Sequence, residues 1–272
     1  MNSLQAIVLG IVQGLTEFLP ISSTGHLRIV PAFLGWEDPG TAFTAVVQLG
    51  TMAAVVVYFR KDLWNLTRGL VRGIFHKELR STTEFRHGMF VVVGTVPISV
   101  LGFALHGVIE GGFTRNLYVI GTTLILLGIL LGVAERVGRR TRSESSLTMR
   151  DAVVIGVAQA CALVPGVSRS GATISAGLFI GLERASAARF SFLLSVPAVV
   201  LSGLFELPKA ADGNGASIPA TLIATVFAFI FGWLSIAGLL RFLEKHPVWV
   251  FVGYRVVVGA LVLVLAATNT IS

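Results

Sequence analysis

The sequence predicts an all-α polytopic membrane protein on an inverted-topology repeat, with six transmembrane helices plus two re-entrant helix pairs. Three observations lead there. The 272 residues are 54% hydrophobic and 13% charged, with mean hydropathy +0.83, about half the charge of an ordinary soluble domain. Several apolar runs reach roughly 18–22 residues, enough to cross a hydrocarbon core of about 30 Å. Two further apolar stretches are interrupted by proline, glycine and hydroxyl residues, and these two resemble each other.

The spans come first. Apolar runs at about 42–59, 89–107, 117–134, 188–205, 218–240 and 248–267 are each long enough to cross. Their orientation follows from charge. Sixteen of the 21 Lys and Arg residues fall at 60–86, at 136–150, at Arg184 with Arg189, and at Arg241 with Lys245. The segments around 35–41, 106–116 and 205–217 are neutral or acidic, as in "WEDPG". Basic loops stay in the cytoplasm, so the net charge of +7 faces anionic headgroups, and nucleic acid is excluded as a partner. The first apolar segment has no basic leader and no A-x-A site, so no cleavable signal peptide is expected. One cysteine, Cys161, excludes an intrachain disulfide and a cysteine metal cluster.

The stretches 4–34 and 152–180 do not fit as simple spans. Each begins and ends on one side, and each is broken, at "LPISSTG" and at "VPGVSRSG". Both read as re-entrant pairs entering from opposite faces. "AIVLGIVQ" (6–13) matches "AVVIGVAQ" (152–159) at an offset of 146 residues, which also carries Ser22 onto Ser168 and Gly25 onto Gly171. The chain is thus one integral membrane domain, 1–272, made of repeat 1 (about 1–140) and repeat 2 (about 147–272). Each repeat holds an odd number of spans, so the second is inverted, and such repeats place a site near the midplane at their junction. A helix over 3–19 or 152–167 extends about 25 Å, so both breaks reach the core. Non-helical backbone survives there only inside protein or a wet cavity.

Arg169 anchors the chemistry. A guanidinium deep in lipid is a functional-site candidate. It lies between Ser168 and Ser170, before Gly171, where serines cap a second half-helix whose N-terminus attracts anions. That combination describes a phosphate or carboxylate site; the competing reading is an Arg169–Glu17 salt bridge needed only for folding. Glu17 shares a helix face with Gln13 and serves either as a general acid/base or as an oxygen ligand for a hard cation, Mg²⁺ or Ca²⁺. His26 follows Ser23 by three residues, a base one turn from a hydroxyl. Ser22 and Thr24 are expected to cap and to donate to phosphate oxygens, and Gly25 to permit the tight turn. For Arg255, reaching the chamber and snorkelling to the cytoplasm are weighed equally; Gln48 is a weak lining candidate.

With these residues in view, "GLTEFLPISSTGH" and "PGVSRSGATIS" resemble the two signature motifs of the undecaprenyl-diphosphate phosphatase family, also called bacitracin resistance proteins. The resemblance covers essentially the whole chain. It implies a bacterial plasma membrane enzyme that removes the terminal phosphate of a C55 prenyl diphosphate on the external side, recycling the lipid carrier for cell-wall synthesis. It implies Glu17, Ser23, His26 and Arg169 as catalytic residues, with Ser168 and Ser170 on the substrate, where the reading of the turns adds Ser22, Thr24, Gly25 and Gly171. It further implies a divalent cation, Mg²⁺ or Ca²⁺, at Glu17 with Gln13 as a supporting ligand. Many members have glutamate at the position of Gln13, so an amide oxygen replaces a carboxylate here. Ser23, His26 and water all stay open as the nucleophile. The implied partners are the prenyl diphosphate lipid and the bilayer, with a homodimer left open. The rival reading is a transporter or flippase of prenyl phosphate lipids on the same scaffold.

Overall fold

The computed structural model describes residues 1–105, 107, 115–211 and 217–271, with the backbone alone over 202–211. Of the loops expected at 106–116 and 205–217, residues 106, 108–114 and 212–216 lie outside the described residues, while 205–211 continues the preceding helix instead of forming a loop. Among the described residues these α-helices follow one another: α1 (Ser3–Phe18), α2 (Ser23–Leu34), α3 (Gly40–Tyr58), α4 (Arg60–Phe75), α5 (Thr83–Ala104), α6 (Leu117–Val137), α7 (Met149–Ala160), α8 (Arg169–Phe179), α9 (Arg184–Ala211), α10 (Ile218–Lys245) and α11 (Trp249–Ala267). The only extended pairing among the described residues is an isolated bridge between Arg142 and Leu182. Among the described residues six helices are long and apolar enough to cross a membrane: α3, α5, α6, α9, α10 and α11. They coincide with the six expected spans, and the chain is a multi-pass membrane protein.

The two broken stretches form helix pairs, α1–α2 and α7–α8, built alike. Capping boxes open them at Asn2 with Gln5 and at Thr148 with Asp151, satisfying orphan backbone donors at the entry. Both boxes obey the 146-residue offset. So do Gly10 and Gly156, where a Cβ would come within 2.4 Å of the Ala224 carbonyl and 2.3 Å of the Gly94 carbonyl. Those glycines let α1 pack on α10 and α7 pack on α5, the close backbone approach that small residues allow within lipid. Around these contacts α3 packs on α9 and α6 on α11.

Two expectations need correction. The helix predicted over 152–167 starts earlier and stops sooner, running Met149–Ala160 before a 3₁₀ turn over Cys161–Leu163. The capping box sets the start. The end falls before Pro165, which restricts the preceding residue, and before Gly166 at φ 82°. The basic segment 60–86, expected as a loop, is mostly helical: α4 lies against α5, with Gly69 and Gly73 seated on Glu84 and Phe85.

Candidate active site

The tip of each helix pair is a turn whose left-handed residue is a serine. Ser22 adopts φ 77° and Ser168 φ 69°, a conformation that costs a non-glycine residue energy and persists only where surroundings enforce it. The expectation that Gly25 supplies the turn is therefore corrected. Gly25 and Gly171 instead sit in the first turns of α2 and α8, donating N–H to Ser22 Oγ at 3.3 Å and Ser168 Oγ at 3.1 Å. A Cβ on Gly25 would stand 3.3 Å from Ile120, and one on Gly171 3.2 Å from the Arg255 guanidinium. The remaining first-turn N–H groups of α2 and α8 have no intrahelical acceptor.

The buried guanidinium of Arg255 enforces both turns. The residue is 0% exposed and donates to Pro20 O at 3.0 Å in the first tip. It also donates to Gly166 O and Val167 O at 3.0 and 3.1 Å in the second. Two further bonds, to Leu124 O and Thr123 O at 3.1 and 3.3 Å, tie the group to α6. Thr123 Oγ1 donates to Pro165 O at 2.6 Å. Snorkelling is ruled out by this geometry: five backbone carbonyls hold the group in the core.

Between the tips stands the Glu17 carboxylate. Its Oε2 accepts from Ser23 Oγ at 2.5 Å and from Gln13 Nε2 at 2.9 Å. Its Oε1 accepts from Gln48 Nε2 at 3.1 Å and from the Arg169 guanidinium of the opposite tip. The Ser23 hydroxyl and the Arg169 guanidinium are thus separated by one carboxylate. Ser170 Oγ donates to Leu19 O at 3.0 Å, a second bond across the tips, and lies 3.2 Å from Ser168 Oγ. A narrow crevice between α3 and α9 reaches the pair, lined by Glu17, Thr51, Met52, Arg169, Ser195 and Val199.

His26 does not join Ser23. Its Nδ1 faces Ser22 O at 2.7 Å and its Nε2 faces the Tyr254 hydroxyl, also at 2.7 Å. A carbonyl can only accept, so Nδ1 carries a proton and a neutral ring takes the Tyr254 O–H at Nε2. Thr24 is exposed on the rim, its hydroxyl 3.4 Å from Ser22 Oγ. Gln13 is buried, and its Oε1 has no hydrogen-bond partner. Among the described residues no three His, Cys, Asp or Glu side chains cluster to hold a metal. The oxygens available to a cation near Glu17 are that carboxylate, the free amide oxygen of Gln13 and the Ser23 hydroxyl. The donor set fits a hard, oxygen-seeking ion.

Sequence reasoning missed Tyr254, and it ranked Arg255 and Gln48 too low. The "YR" pair inside an apolar span was the available signal, since polar groups there need partners.

Fold and site together define an integral membrane protein that gathers a carboxylate, a serine and an arginine at the meeting of two broken helix pairs. The model of the family "Bacitracin resistance protein BacA" matches residues 6–261, and this chain belongs to that family. Similar curated proteins include one of Nocardioides sp. (strain ATCC BAA-499 / JS614), 50% identical over 99% of this chain and 98% of its own length. Another, of Mycobacterium tuberculosis (strain ATCC 25618 / H37Rv), is 52% identical over 98% of this chain and 96% of its own. A third, of Chlorobaculum parvum (strain DSM 263 / NCIMB 8327), is 49% identical over 99% of both. Each of the three is named undecaprenyl-diphosphatase.

Proposed function

We propose that this protein is a membrane phosphatase that hydrolyses undecaprenyl diphosphate to undecaprenyl phosphate and phosphate. One observation carries the reading: the Ser23 hydroxyl is bonded at 2.5 Å to a carboxylate whose other oxygen holds the arginine of the opposite tip. A nucleophile, its base and an anion-binding cation then share one point, and full-length relatives bear the name of this activity.

In this mechanism the diphosphate takes Arg169 from Glu17. The guanidinium binds terminal phosphoryl oxygens bidentately, joined by backbone N–H groups at the starts of α2 and α8. Glu17 accepts the Ser23 proton as Oγ forms its bond to the terminal phosphorus. The bond from that phosphorus to the bridging oxygen breaks, and the electron pair leaves with undecaprenyl phosphate. Glu17 gives that proton to the departing undecaprenyl phosphate. Again a carboxylate, it takes a proton from water as the water oxygen attacks the phosphoserine. The P–Oγ bond breaks, Glu17 returns the proton to Ser23 Oγ and phosphate is freed. Glu17 and Gln13 Oε1 would hold a divalent cation, which when bound would neutralise phosphate charge. Neutral His26, held between Ser22 O and the Tyr254 hydroxyl, positions the turn that carries Ser23.

The reading extends to topology. The shared turns, capping boxes and packing glycines support two inverted halves, with α1–α2 and α7–α8 re-entering from opposite faces. Cytoplasmic placement of α4 and of the 138–148 loop opens the site toward the external side of the bacterial plasma membrane. The prenyl chain stays in lipid throughout. Transport on the same scaffold has no use for a serine hydroxyl held on a carboxylate.

Substrate labelled in the terminal phosphate and quenched within one turnover tests the assignment. Label on Ser23, lost in Ser23→Ala, is the expected result. Full turnover by Ser23→Ala, with label on His26 or on no residue, overturns it.

A further inference from the structure

The segment joining spans α3 and α5 lies at one membrane surface, because both flanking helices cross. Within it α4 carries two parallel stripes. Trp64, Val71 and Phe75 recur at i, i+7 and i+11, and with Ile74 they are 51–76% exposed. Lys61, Arg68 and Arg72 follow the same spacing one stripe over, and all three are exposed. An apolar face bearing tryptophan, edged by cations, describes a helix lying in a membrane interface.

Beside the basic stripe is a cleft of about 290 Å³, lined by Asn65, Arg68, Arg72, Thr82 and Glu84 with Gly69 and Leu79 at its floor. Arg68 and Arg72 are four residues apart, a like-charge pair that repels on a helix. Among the described residues neither guanidinium has an ion-pair or hydrogen-bond partner. Other arginines of the basic regions are ion-paired: Arg142 with Asp151, Arg184 with Glu135, and Arg189 with Asp62 and Glu144. Asn65 and Thr82 add neutral donors, while Glu84 is an acidic lining residue that opposes an anion.

We propose that this cleft holds the phosphoryl headgroup of an anionic phospholipid, with the acyl chains lying over Trp64 and Phe75. The two stripes fit both parts of one lipid, which sets a lipid apart from free phosphate: inorganic phosphate has no use for the apolar stripe. The site is separate from the Glu17 centre and independent of the catalytic assignment.

The test uses full-length protein in phosphatidylcholine nanodiscs containing a minor fraction of chain-brominated phosphatidylglycerol or, in parallel, brominated phosphatidylcholine. The Trp64 contribution is isolated by subtracting the Trp64→Phe signal. Wild-type Trp64 is expected to be quenched more strongly by the anionic lipid at equal mole fraction. Each basic residue at an anionic surface contributes roughly a fivefold preference, so Arg68→Gln with Arg72→Gln should lower that preference by about 25-fold. Phosphatidylglycerol-free detergent should leave the turnover of the double variant unchanged. Equal quenching of wild-type Trp64 by the two lipids overturns the proposal without recourse to any variant in the cleft. Abolition of the preference by tens of millimolar inorganic phosphate would assign the cleft to the free ion and equally overturn it.

Discussion

At the first tip, the turn made by Ser22 is flanked by Glu17, Ser23 and His26; at the second, 146 positions on, the turn made by Ser168 is flanked by Leu163, Arg169 and Ala172. The backbones match, in left-handed serine, capped glycine and anchored carbonyls, while the side chains part company. One tip keeps the carboxylate and the hydroxyl; the other keeps the guanidinium. Neither suffices for chemistry on a diphosphate. The comparison teaches that Arg255, by fixing the carbonyls of both turns, frees the flanking positions to specialise. On the proposed reading, function arises where the tips meet.

Removing the specialised group from either tip should have the largest effect. Ser23→Ala and Arg169→Ala are each expected to lower kcat by about 10³-fold or more, measured as phosphate release in detergent, with the melting temperature little changed in Ser23→Ala. Near-normal turnover in either variant would break the division of labour.

Next comes the shared frame. Arg255→Met strands carbonyls at both tips and should destabilise the protein by about 2–4 kcal/mol, while kcat falls about 100-fold as Ser23 and Arg169 lose register. Arg255→Lys should recover part of both. A folded Arg255→Met protein with wild-type kcat would remove Arg255 from the frame.

The two glutamines at matching positions sharpen the comparison. Gln13 donates to Glu17 and keeps a free oxygen, whereas Gln159 is fully buried with both amide atoms unpartnered. Gln13→Leu should cost about tenfold in kcat and raise the Mg²⁺ concentration needed for half-maximal rate. Gln159→Leu should leave kcat alone and stabilise by about 1 kcal/mol, since an unsatisfied buried amide is replaced by an apolar side chain. Equal effects at the two sites would mean that the tips had not diverged. The smallest change is expected from Tyr254→Phe, which removes one hydrogen bond from His26 Nε2. About a fivefold fall in kcat and a shifted pH–rate profile are predicted, readable by steady-state assay.

Much of this was legible beforehand. Lipid demands long apolar runs, so Gly40–Tyr58 and its five counterparts stood out by length alone. A carboxylate, a histidine and an arginine in otherwise apolar stretches are costly, which exposed Glu17, His26 and Arg169. Helix α4 was hidden because its residues alternate between basic and apolar around one turn, so no continuous run marks it. Arg255 was ambiguous because sequence gives approximate depth but not the carbonyls that a side chain will find; inward and snorkelling rotamers begin at the same Cα. Sequence points to Gly25 for the first turn because serine rarely takes a positive φ, and only the tertiary frame reveals that Ser22 and Ser168 are held there. His26 stood near Ser23 in sequence, yet the helical turn aims its ring at Tyr254.

The meeting of the tips is tested most directly by a double-mutant cycle between Glu17→Gln and Arg169→Gln, read as unfolding free energy in detergent. The account predicts strong non-additivity, a coupling of about 1–3 kcal/mol, because each single variant leaves a charge without its partner. Additive effects within about 0.5 kcal/mol would mean that the two residues do not touch, and would contradict the account.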